Sequence, residues 1–93
     1  MDTQNTSEIC EIISNLNSSQ DVELLLNELL TPSELGDITQ RWNILKRLNA
    51  KESQRNISKT LAVSLCKITR GAKILKNENS ILRQILFDER WQN

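Results

Sequence analysis

The run Ser53-Gln54-Arg55-Asn56-Ile57-Ser58-Lys59-Thr60-Leu61-Ala62-Val63-Ser64-Leu65-Cys66-Lys67-Ile68-Thr69-Arg70-Gly71 concentrates the side chains that could act on a partner. The chemistry is hydrogen-bond donation to anions. Arg55 can meet a phosphate or a guanine edge, and Lys67, Thr69, Lys73 and Lys76 recur on the polar face of a helix opening near Leu65. The apolar residues between them supply a scaffold. Ile57 and Leu61 point inward from a first helix, a short turn follows, and Leu65 and Ile68 point inward, i to i+3, from a second. Two short helices locked by a shared core, the second free to enter a major groove, have helix-turn-helix geometry.

The surrounding charge agrees with an anionic partner. The chain of 93 residues has 12 basic and 12 acidic side chains, yet they are segregated. Residues 1–40 hold 8 acids and no Lys or Arg, whereas residues 41–76 hold 10 basic side chains and a single acid, Glu52, a net of +9. Such a block adjoining an acidic one predicts a polyanion met in a defined orientation. The absence of histidine excludes a His general base, a His triad and a His-ligated metal, and no nucleophile stands beside a base at motif spacing. Enzymatic activity is not expected. Cys10 and Cys66 match no zinc spacing and are expected to stay reduced. No apolar run approaches a membrane span, and the polar, acidic segment Met1 to Ser7 is unlike a secretory signal, so a cytoplasmic location is predicted.

The elements that position these groups read as helices throughout. With one proline, two glycines and no hairpin dipeptide, strand signals are almost absent. Ile9, Ile12, Ile13 and Leu16 fit a first helix. From Asp21 to Leu30, five leucines (Leu24, Leu25, Leu26, Leu29, Leu30) leave little polar face and predict a helix buried on most sides. Thr31-Pro32-Ser33-Glu34 is a capping box with proline at the first helical position. It opens a helix carrying Leu35, Ile38, Trp42, Leu45 and Leu48 on one face. Ser53 opens a helix from Gln54 to about Leu61, Ser64 is placed to cap another from Leu65 to about Lys76, and a final one carries Ile81, Leu82, Ile85 and Leu86 and frays towards Asn93. Six short helices bury little alone. Their unsatisfied apolar faces predict a homodimer with interlocked helices.

The order of these features resembles the tryptophan repressor family. The resemblance rests on Leu24-Leu25-Leu26-Asn27-Glu28-Leu29-Leu30-Thr31-Pro32, Arg41, Ser53-Gln54-Arg55 and Ile68-Thr69-Arg70-Gly71, and continues through Leu75-Lys76 and Leu82-Arg83-Gln84, covering roughly residues 22–86. It implies an all-α, six-helix intertwined homodimer. One domain would span 1–93, with the dimer core in about 8–50 and 77–93 and the helix-turn-helix in about 53–76. It also implies L-tryptophan-dependent repression at a palindromic duplex operator of tryptophan metabolism genes, with tryptophan as corepressor and no other cofactor, metal or membrane partner. Arg41 and Arg70 match the arginines that sandwich the indole ring, and Arg70 and Thr31 those that meet the corepressor carboxylate. The carbonyls of Glu28 and Leu30 match those receiving the ammonium group, and Gly71 the glycine beside the pocket. Planar guanidinium groups suit both stacking on the ring and pairing with a carboxylate. On the DNA side Arg55 matches a guanine-reading arginine, Leu65, Cys66 and Thr69 match positions facing base edges, and Gln54 and Lys76 match positions near the backbone.

The chain departs from the family pattern at several points. The connector before Ser53 is one residue shorter and lacks a glycine, Ala62 stands where a turn often uses glycine, and Lys67 and Ile74 replace a threonine and a serine that line or abut the ligand site. The amino-terminal arm is also shorter, which predicts weaker non-specific DNA contacts. The residues by themselves leave other roles open. The basic face could be merely solvated, Arg41 could pair with Glu34 or Asp37, Thr31 could serve only as a cap, and Cys66 could be a small apolar contact. Trp42 falls on an apolar stripe as a core residue would, and Trp91 lies near the fraying end. Two further functions compete with the gated repressor: a DNA-binding relative that ignores tryptophan, and a protein-interaction adaptor on the same fold.

Overall fold

Six helices follow one another, with no strand, among the residues described by the computed structural model, 6–88. They are α1 (Ser7–Ser14), α2 (Ser19–Leu29), α3 (Pro32–Asn49), α4 (Gln54–Leu61), α5 (Leu65–Lys76) and α6 (Ile81–Leu86). The all-α expectation holds. The chain divides into two compact units, Met1–Gly36 and Asp37–Asn93, and the division falls inside α3. Trp91 and the fraying of the last helix towards Asn93 lie outside the described residues.

In the first unit, the N-cap Ser18 accepts from the Asp21 amide at 3.1 Å and starts α2. Thr31 and Glu34 close the expected capping box in both directions. The Glu34 amide donates to Thr31 Oγ1 at 3.1 Å and the Thr31 amide donates to Glu34 Oε1 at 2.9 Å. The burial expected of α2 is not found. Neither α1 nor α2 has a buried residue, and Leu24 and Leu29 are 62% and 56% exposed. Helices of 8 and 11 residues within one chain offer too little facing surface to enclose a leucine-dense segment.

The second unit is organised around Ile44, Ile57, Val63 and Ile68, all buried, with Leu48 and Leu61 packed against them. The core thus joins α3, α4 and α5. Two details differ from the apolar spacing. Leu65 is exposed rather than inward, because Val63, in the turn, fills the space between Ile57 and Ile68. On α3 the buried positions are Ile44 and Leu45, whereas Ile38 is exposed and Trp42 only half-buried. Leu86 of α6 is fully buried, and its carbonyl accepts from Asn49 Nδ2 at 3.3 Å.

Candidate nucleic-acid and ligand-binding residues

The pair α4–α5 is set by a few local interactions. Ser53 caps α4, its Oγ accepting from the Asn56 amide at 3.1 Å. The helix ends at Ala62, which adopts the left-handed conformation, φ 55° and ψ 46°. Its N–H closes on the Ser58 carbonyl, and Ser58 Oγ donates to the Val63 carbonyl at 2.6 Å. The turn Ala62-Val63-Ser64 is therefore held by one serine side chain while Val63 anchors it in the core. Ser64 occupies the N-cap position of α5 with extended backbone, but its side chain makes no capping bond, unlike the expectation; the Lys67 amide closes on its carbonyl instead, at 3.2 Å.

This arrangement turns one side of α5 outward. Leu65, Cys66, Thr69, Arg70 and Lys73 line a shallow surface groove of about 380 Å³. Thr69 Oγ1 donates to the Leu65 carbonyl at 2.9 Å, leaving its oxygen lone pairs to accept. Arg55 and Gln54 are exposed in the first turn of α4. Among the described residues no carboxylate pairs with Arg55, Lys59, Arg70 or Lys73, so these cations remain available to an anion. Lys76 lines a second cleft, of about 330 Å³, with Leu48, Lys51, Leu75, Arg83 and Phe87 among its walls. Lys67 has a partner within the protein: its Nζ donates to Gln40 Oε1 on α3 at 3.3 Å.

The residues matched to a ligand fall in both units. Within the first, Glu28 and Leu30 end α2. Pro32 has no N–H to close on the Glu28 carbonyl, and the Glu34 amide, which would close on that of Leu30, is committed to Thr31 Oγ1. The sequence thereby leaves helix-end acceptors open beside Thr31. Within the second, Arg41 is exposed and does not pair with Asp37. Arg70 precedes Gly71, which is buried against α3. A Cβ at Gly71 would lie 3.3 Å from Ile44 Cγ2 and Leu48 Cδ1 and 3.4 Å from Leu45 Cδ2, so the missing side chain permits the close approach of α5 to α3. Among the described residues no group of three or more His, Cys, Asp or Glu side chains could hold a metal.

One feature escaped the sequence reading. Arg47 near the end of α3 pairs through Nε with Glu52 Oε1 at 3.1 Å and donates through Nη1 to Thr60 Oγ1 at 2.5 Å. Glu52 Oε2 accepts in turn from Asn56 Nδ2 at 2.6 Å. This clamp ties α3 and its connector to α4, the helix of Arg55. Its only sequence signal was Glu52 itself, the single acid in the basic block.

A family model described as "Trp repressor protein" matches residues 4–90. This chain belongs to the Trp repressor family. Curated relatives named "Trp operon repressor homolog" agree. That of Vibrio parahaemolyticus is 44% identical over 73 residues, covering 77% of this chain and 71% of its own. That of Xylella fastidiosa is 39% identical over 72 residues, 76% of this chain and 78% of its own, and that of Vibrio cholerae 34% over 85 residues, 86% and 82%. No solved structure gives a significant match. The Trp repressor family is one of DNA-binding regulators rather than enzymes, which accords with an outward basic face and with the absence of histidine. No described helix is long and apolar enough to cross a membrane.

Proposed function

We propose that this protein is an L-tryptophan-dependent transcriptional repressor that binds a palindromic operator as a homodimer, each chain acting as one domain and working in the cytoplasm. The observation that carries the reading is the outward face of α5 in a Trp repressor family member: Cys66, Thr69, Arg70 and Lys73 share one groove, and among the described residues no carboxylate pairs with its cations. Leu65, Cys66 and Thr69 face base edges, Arg55 reads a guanine, and Gln54, Lys73 and Lys76 engage the backbone. Tryptophan lies between Arg41 and Arg70, with its carboxylate on Arg70 and Thr31, its ammonium on the carbonyls of Glu28 and Leu30, and Gly71 alongside. Arg70 joins the two activities, being a ligand contact on the reading helix.

A second reading, DNA binding without a tryptophan response, is favoured by Ile74. It is half-buried on α5 and brings no hydroxyl where the family has a serine.

Calorimetric titration of L-tryptophan, followed by selection of duplex DNA with and without it, tests the proposal. One site per chain and much stronger selection of a palindrome with tryptophan than without it are expected. Arg70→Ala abolishes the tryptophan dependence and weakens operator binding together. Arg55→Ala weakens operator binding alone, by about 1–3 kcal/mol for loss of a base-reading arginine. Equal operator affinity with and without tryptophan in the unaltered protein would reject the gated reading in favour of the second.

A further inference from the structure

The two helices of the reading pair are attached to α3 by unequal means. The clamp of Arg47, Glu52, Asn56 and Thr60 fixes α4 through three side-chain bonds. On the exposed side, the Lys67–Gln40 bond holds α5 to α3. Its position on α5 is informative. Lys67 and Gly71 are i and i+4 and share a face, as do Gln40, Ile44 and Leu48 on α3. At Gly71 the two helices pack with no side chain between them, since a Cβ there would lie 3.3 Å from the side chains of Ile44 and Leu48. The Lys67–Gln40 bond lies one turn away from it, towards the start of α5. Gly71 thus forms a pivot, and the side-chain bond determines how α5 is turned about it.

The consequence lies on the opposite face. Leu65, Cys66, Thr69 and Lys73 stand at i, i+1, i+4 and i+8 and line the outward groove. Holding Lys67 against α3 holds that row away from α3. We infer that Lys67 and Gln40 are positioning residues for DNA recognition: their bond presets the recognition face, so part of the DNA-binding competence is built into this chain and does not depend on a small molecule. The inference rests on the DNA-binding reading above. It gives Lys67 a role through Gln40 rather than through a phosphate.

Lys67 is exposed, Gln40 is half-buried and neither belongs to the core, so Lys67→Met and Gln40→Leu leave the core intact. The probe is the duplex selected by the unaltered protein, with affinity measured with and without saturating L-tryptophan over a range of salt. Each variant should bind about three- to tenfold more weakly without tryptophan, the range expected for one intramolecular hydrogen bond of ordinary net strength. The double variant should be no weaker than either single one, and the tryptophan-saturated affinities should stay close to that of the unaltered protein. Amide exchange should quicken in the first turns of α5 and not in α4. A direct phosphate contact gives the opposite pattern: Gln40→Leu is neutral, while Lys67→Met weakens both states and lowers the salt slope by about one. That result would overturn the inference. If tryptophan changes nothing, the gating proposal fails and the inference is still decided by the Gln40 variant and the double-variant comparison. If no duplex binds, the DNA reading fails, and unchanged amide exchange in the variants would reject the positioning role as well.

Discussion

Ala62 holds a left-handed conformation that an L side chain with a Cβ adopts at a penalty of roughly 1–2 kcal/mol. Lys51, in the connector between α3 and α4, does the same with φ 70°. Glycine is the residue such a conformation favours, and here the neighbours enforce it: Ser58 Oγ pins the turn at Ala62, and the Lys51 amide closes on the Leu48 carbonyl at 3.0 Å. Glycine relieves the strain but gives the unfolded chain more freedom, so the net gain is smaller than the strain itself. Ala62→Gly should stabilise the protein by about 0.5–1 kcal/mol, read as a higher denaturant midpoint at unchanged slope. Loss of stability would mean that the Ala62 methyl makes a packing contribution larger than its strain. The position was legible in the sequence because an alanine follows an apolar helix at a turn. Its energetic consequence needed the backbone angles.

At the level of the element, capping separates α4 from α5. Ser53 and Ser64 look alike in sequence, each a serine before an apolar-periodic run, and both sit at N-cap positions with extended backbone. Only Ser53 uses its side chain. Ser53→Ala should cost about 1 kcal/mol, while Ser64→Ala should stay within about 0.5 kcal/mol of the parent, both read from chemical unfolding. Equal losses would show that Ser64 caps α5 in solution. The contrast also explains what the chain reveals before folding. The limits of α4 and α5, 54–61 and 65–76, were legible because a cap residue and apolar periodicity coincide at each. The inward side of α5 was misread at Leu65, since an i, i+3 pair fits the template whether or not Val63 in the turn takes the same space. The clamp was illegible because it depends on Arg47 and Thr60, 13 residues apart, meeting across a tertiary contact. The candidate DNA face was readable as a set of residue types, but the diversion of Lys67 to Gln40, 27 residues away, was not.

For the whole molecule, the decisive property is apolar surface left open. Ile9, Ile12, Leu24, Leu29, Ile81 and Phe87 are all exposed, the last two by 70% and 58%, and α1 and α2 contain no buried residue at all. A chain of 93 residues that leaves two of its helices without a core is stable only when something else covers them. The charge pattern favours a second copy. One stretch of the chain carries only acids and the next is strongly basic, so two copies related by a two-fold axis can set opposite charges against each other while pooling their leucine and isoleucine faces. If folding and pairing are one event, stability depends on protein concentration by mass action. The thermal midpoint should then rise by about 3–5 °C for each tenfold increase in concentration, as expected when a dimer of this size unfolds to single chains. Light scattering on the same sample should give twice the chain mass. Leu24→Glu, which places a charge on the α2 face, should lower the midpoint and weaken pairing together. A midpoint independent of concentration, with a monomer mass, would refute the dimer and with it the use of a palindromic site.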